Sequence, residues 1–89
     1  MSLNKKKMVR EIGRRTRLSN RDVQRVIETL VEMWTEELVN GGRIEIEHFA
    51  VIDTKIRERH LNDSLYPERF RVTLIRASKA LREQLNERR

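Results

Sequence analysis

The sequence predicts an α+β fold in the order ααβββα, and three observations carry that expectation. Apolar residues recur at helical spacing up to Leu38 and again after Ser78, whereas the stretch from Ile44 to Leu74 alternates with a period of two. Asn4, Ser19 and Ser78 can each cap a helix start, and Asn40-Gly41-Gly42 can stop one. The chain has 89 residues, of which 37% are hydrophobic, so the prediction is one small domain spanning residues 1–89. It contains no cysteine to staple that small core. Oligomerisation is therefore the expected missing stabiliser.

The first helix runs from about Lys5 to Thr16 behind Asn4, with Met8, Val9 and Ile12 as its apolar face. Gly13 lies within it; a glycine there costs roughly 1 kcal/mol against alanine and is tolerable where another segment must pass close. Ser19, followed three residues later by Asp22, reads as an N-cap with a capping-box variant. The second helix then presents Val23, Val26, Ile27, Leu30, Val31, Met33, Trp34 and Leu38 over an arc of about 160°. So broad a stripe on one helix calls for a large core or a second subunit. Ile44 and Ile46 alternate with Arg43, Glu45 and Glu47 as a half-buried strand. Parity slips at His48-Phe49-Ala50, which predicts a tight turn or bulge. In the next strand Ile52, Thr54 and Ile56 share one face, with Asp53, Lys55, Arg57 and Arg59 on the other. After a turn at Leu61-Asn62-Asp63-Ser64, the third strand sets Phe70, Val72 and Leu74 against Arg69, Arg71 and Thr73. A last helix begins at Ser78 and packs through Ala77, Leu81 and Leu85.

A net charge of +6 points to a polyanionic partner, and its distribution says more than its total. Residues 1–17 hold seven Lys/Arg against Glu11, whereas residues 18–40 hold only Arg21 and Arg25 against five acids. If the second and third strands pair across their turn, Lys55, Arg57, Arg59, Arg69 and Arg71 are expected to gather on one ribbon face. Like charges so gathered invite a polyanion; the bland alternative is a charged edge that prevents aggregation. Arg76, Lys79 and Arg82 surround the start of the last helix, where free N–H groups and the helix dipole suit a phosphate. A helix-turn-helix over residues 14–30 is disfavoured, because Glu28, Glu32 and Glu36 line the outward face of its second helix. With His48 and His60 as the only histidines, the sequence offers no metal site, no catalytic constellation and no cofactor loop. Neither a signal peptide nor a membrane span is legible, so the expected setting is cytoplasmic, with no membrane partner.

In order along nearly the whole chain, the sequence resembles the HU/IHF family of bacterial histone-like DNA-binding proteins. "NKKKMVREIGRRTRLSNRDVQRVIETLVEMWTEEL" resembles that family's two N-terminal helices, "GGRIEIEHFAVIDTKIRER" its first two strands, and "FRVTLIRASKALREQL" its third strand and last helix. The resemblance implies an intertwined homodimer with a helical base and a β-saddle. Two ribbon arms, here about residues 55–72, would embrace the minor groove of double-stranded DNA. It also implies that Lys5 touches phosphate, that Lys55 and Arg57 are basic positions of the outgoing arm, and that Arg76, Lys79 and Arg82 form a cluster beyond the third strand. The chain departs from the family in three places. Arg17 replaces the glycine usual before Leu-Ser, which forces a positive φ on a non-glycine residue at roughly 1 kcal/mol. His48-Phe49-Ala50 replaces Gly-Phe-Gly, with Phe49 expected to keep the core position. The arm is a stub without the family's Arg-Asn-Pro-x-Thr-Gly tip; Pro67, the sole proline, sits late on the returning strand. The expected function is architectural, largely sequence-independent DNA binding, and the chain is not expected to be an enzyme. The alternative is the same scaffold used as a protein-interaction module, which Asp53, Glu58, Asp63 and Glu68 in the arm region would favour.

Overall fold

The computed structural model describes residues 1–61 and 65–87, with helices α1 (Lys5–Thr16), α2 (Asn20–Val39) and α3 (Lys79–Glu87) and strands β1 (Ile44–Ile46), β2 (Ala50–Arg59) and β3 (Glu68–Ala77). The order is the expected ααβββα. Two compact units divide the chain, Met1–Glu36 and Glu37–Arg89. The expected turn over 61–64 lies largely outside the described residues.

In the first unit, the Asn4 side chain accepts the Lys7 N–H at 2.9 Å and starts α1. Arg17 ends that helix in the left-handed region at φ 63, its N–H donating to the Gly13 carbonyl at 2.8 Å. That is the strained non-glycine position expected at the junction. Ser19 Oγ accepts the Asp22 N–H at 3.1 Å and so caps α2. Gly13 lies at a close approach: a Cβ there would sit 2.6 Å from Asn20 Oδ1 and 3.2 Å from the Leu18 carbonyl oxygen. Val9 and Val23 are the buried apolar side chains of this unit. Most of the α2 stripe is not buried: Val26, Leu30, Val31 and Met33 are exposed, Met33 by 60%.

In the second unit, Gly41 takes φ 86 and its N–H reaches the Leu38 carbonyl, while the Gly42 N–H reaches that of Glu37 at 2.9 Å. These bonds wind up the end of α2. The three strands form one antiparallel sheet in the order β1-β2-β3, with Ile44 opposite Ile52 and Ile46 opposite Ala50. The β1–β2 connection is a tight turn in which the Phe49 N–H donates to the Ile46 carbonyl at 3.0 Å and His48 takes φ 63. Ile44 and Ala50 are buried. Phe49 is 53% exposed in the single chain, and the turn's positive φ falls on His48. Ser78 caps α3, its Oγ accepting the Leu81 N–H at 3.0 Å, and its own N–H is tied to the Phe49 carbonyl at 2.8 Å.

Candidate nucleic-acid interface

The hairpin of β2 and β3 pairs ten residues with ten, from Ala50 opposite Ala77 to Arg59 opposite Glu68. Facing residues project to the same side of a sheet, so this register decides which charges meet. Lys55 faces Val72, Arg57 faces Phe70 and Arg59 faces Glu68. Arg71 faces Ile56 and Arg69 faces Glu58. The five bases therefore do not share one face, and the expectation that they would is corrected. Lys55, Arg57 and Arg59 lie on one side with Phe70, Val72, Leu74 and Arg76, while Arg69 and Arg71 lie on the other with Thr54, Ile56 and Glu58.

The electrostatics of this register are favourable. A register shifted by one would set the bases of the two strands opposite one another, which is unfavourable. The observed register instead makes an ion pair on each face: Arg59 Nη2 lies 2.7 Å from Glu68 Oε2, and Arg69 Nε lies 3.2 Å from Glu58 Oε1. The Arg59 guanidinium also stands over the Phe70 ring, 5.6 Å from its centroid. The far end of the ribbon is thus tied to itself, and the positive charge of Arg59 and Arg69 is largely spent within it.

Arg71 has a different occupation. Its Nη1 donates to the Val39 carbonyl at 2.9 Å, and its Nη2 donates to the Leu38 carbonyl and, at 3.0 Å, to Thr54 Oγ1. It therefore caps the C-terminus of α2, a role the sequence reading missed. One signal pointed that way: α2 has no basic residue in its last turn, so any cation serving its C-terminal carbonyls had to come from elsewhere.

The remaining bases divide as follows. Lys55, Arg57, Arg76 and Arg82 have no ion-pair partner among the described residues, and all four are exposed. Lys55, Arg57 and Arg76 follow one ribbon face toward α3, where Lys79 begins the helix, its Nζ 3.9 Å from Glu83, and Arg82 lies one turn on. On the ribbon Lys55, Arg57 and Arg76 form a basic strip interrupted by Asp53, whose carboxylate accepts the Thr54 N–H at 2.7 Å, and Lys79 and Arg82 follow it in the chain at the start of α3. In the first unit Lys5 Nζ lies 3.6 Å from Glu28 Oε2. Also there, Glu11 is held by Arg14 and Arg15 at 2.5 and 2.8 Å, and these hydrogen bonds lower its pKa to about 2. Leu65 and Tyr66 are exposed beside Pro67, before β3. Among the described residues no cluster of His, Cys, Asp or Glu could hold a metal ion, and no helix is long and apolar enough to cross a membrane.

Known proteins share this fold. The family described as bacterial DNA-binding protein matches residues 3–63. Among solved structures, the chain resembles HU from Anabaena in a cocrystal with DNA, with a TM-score of 0.73 and 19% identity over 94% of this chain and 98% of that one. It resembles a point mutant of HU from Thermotoga maritima with a TM-score of 0.75 and 23% identity, over 94% of this chain and all of the other. At these identities the likeness establishes the fold.

Proposed function

Since the chain belongs to the bacterial DNA-binding protein family, we propose that residues 1–89 act as one architectural, largely sequence-independent binder of double-stranded DNA, working as a homodimer and not as an enzyme. The observation that supports this most is the basic strip of Lys55, Arg57 and Arg76 on one ribbon face, followed in the chain by Lys79 and Arg82 at the start of α3. Such a strip neutralises phosphates and releases counterions, which gives affinity without reading bases. Lys5 adds a phosphate contact from the first unit once duplex replaces Glu28 as its partner. Pairing of two chains is supported by the uncovered α2 stripe, because a solvated row of Val26, Leu30, Val31 and Met33 is costly unless a second copy covers it. Bending would be modest, since the ribbon's end is occupied by its own ion pairs. The protein would reside with the chromosome in the cytoplasm.

The test is fluorescence anisotropy of a labelled duplex of ~30 bp over a salt series, where five or six phosphate contacts predict a log–log slope of about −5. Negligible binding at low salt would reject this reading. It would favour a second one, a protein-interaction module, which the self-neutralised end of the ribbon supports: Arg59–Glu68 and Arg69–Glu58 remove two of the ribbon's bases from its positive field.

A further inference from the structure

We propose that Arg71 is a positioning residue for DNA binding: by capping α2 it fixes the direction of the ribbon, and it does not itself contact phosphate. The proposal rests on the DNA-binding reading and adds to it a residue that acts from the opposite face of the ribbon.

The last carbonyls of a helix have no partner within it and carry the negative end of the helix dipole. In α2, the N–H groups of Gly41 and Gly42 serve Leu38 and Glu37, and no base stands in the last turn. The Arg71 guanidinium meets this need from β3, bridging the Leu38 and Val39 carbonyls with its fork and holding Thr54 Oγ1 on β2 as well. One side chain thus ties both strands of the ribbon to the end of α2. A planar, permanently charged fork suits this task better than an ammonium could.

The level of this tie along the ribbon gives it consequence. In β2 the residues from Ala50 to Thr54 are buried or half-buried, and every residue from Lys55 to Arg59 is exposed. In β3 the residues from Glu68 to Arg71 are exposed, and half-buried positions begin at Val72. Arg71 and Thr54 therefore mark the point where the supported root of the hairpin gives way to its projecting end. Beyond it, the ribbon is held by its own ladder, its two cross-strand ion pairs and the Arg59–Phe70 contact. Lys55 lies next to this level and Arg57 just past it, both on the other face. Any swing of the ribbon about that point moves Arg57 relative to Arg76, Lys79 and Arg82, and a duplex must meet all four together. Preorganisation of this kind raises affinity without adding a contact.

The test compares Arg71→Met, which has no donor, with Arg71→Gln, which keeps amide donors but no charge. Both are measured by duplex anisotropy over a salt series, by the end-to-end energy transfer of a doubly labelled duplex, and by amide exchange of the free protein. Expected for Arg71→Met is about tenfold weaker binding with the salt slope unchanged, a shifted energy-transfer value, and faster exchange in β2 and β3 beyond Thr54. Arg71→Gln should lose less on every readout, because the cap is partly kept. A slope reduced by about one per chain in both variants would make Arg71 a phosphate contact and overturn the proposal. Unchanged affinity and energy transfer, with stability alone reduced, would make it a plain helix cap and overturn it equally. Absence of wild-type binding would fail the DNA reading itself, and the exchange data would still report whether the ribbon is tied at Arg71.

Discussion

Arg17 holds φ 63 where the backbone turns from α1 toward α2, a conformation that costs an L-residue roughly 1–2 kcal/mol and glycine almost nothing. Arg17→Gly should therefore raise stability by about 1 kcal/mol in urea unfolding, less whatever the glycine adds to the entropy of the unfolded chain. A loss of stability would show that the arginine side chain compensates for its own strain. This position was legible through the family resemblance, because Arg17 stands where a glycine is usual before Leu-Ser. Glu11 makes a second prediction at the same scale. Hydrogen bonds from Arg14 and Arg15 lower its pKa from 4.5 to about 2, so the folded carboxylate binds its proton later than the unfolded one. The stability it contributes is present above pH 4.5 and lost as pH falls toward 2. A carboxyl-carbon NMR titration should find Glu11 still ionised at pH 3, and Glu11→Gln should flatten the pH dependence of stability across that window. Arg71 was not legible at this scale, since its carbonyl partners lie 32 and 33 residues away and are reached only once the strands have paired.

The ribbon is where sequence and structure part most clearly. Alternation within each strand was correctly readable, because inward and outward positions follow from a period of two and from nothing else. Pairing between the strands was not. It depends on the residues of the connecting turn, and a shift of one residue exchanges the faces of a whole strand. The observed register brings the ion pairs Arg59–Glu68 and Arg69–Glu58 together, and both were available in the sequence as candidates once opposite-charge pairing was weighed. The consequence is a two-faced element whose faces can be told apart by mutation. Lys55→Glu with Arg57→Glu should weaken duplex binding strongly and lower the salt slope by about two per chain. Exchanging the opposite pair as Glu58→Arg with Arg69→Glu should leave both nearly unchanged. Arg69→Glu alone sets two acids against each other and should cost about 0.2–1 kcal/mol of ribbon stability, visible as faster amide exchange near Glu58. Equal effects of the two double variants would mean that both faces meet DNA.

For the whole molecule, the governing fact is how little one chain buries. Among the described residues the buried apolar side chains are Val9, Val23, Ile44 and Ala50, three of them small, while Val26, Leu30, Val31 and Met33 remain in water. The width of the α2 stripe already signalled this in the sequence, because its arc exceeds what one short helix can cover in so small a chain. The proposed pairing of two chains predicts a Tm that rises with protein concentration, checked by melts over a hundredfold dilution series. Leu30→Glu should abolish that dependence and leave a largely unfolded chain at micromolar concentration. A Tm independent of concentration in the wild type would count against pairing. The same uncovered stripe sets how the protein responds to its own abundance. Where chains are dilute enough to be mostly single, paired molecules vary as the square of the total, so halving synthesis removes about three-quarters of the binding species. Gene dosage would then govern DNA coverage more sharply than in proportion, through the hydrophobic face of one helix rather than through any regulator.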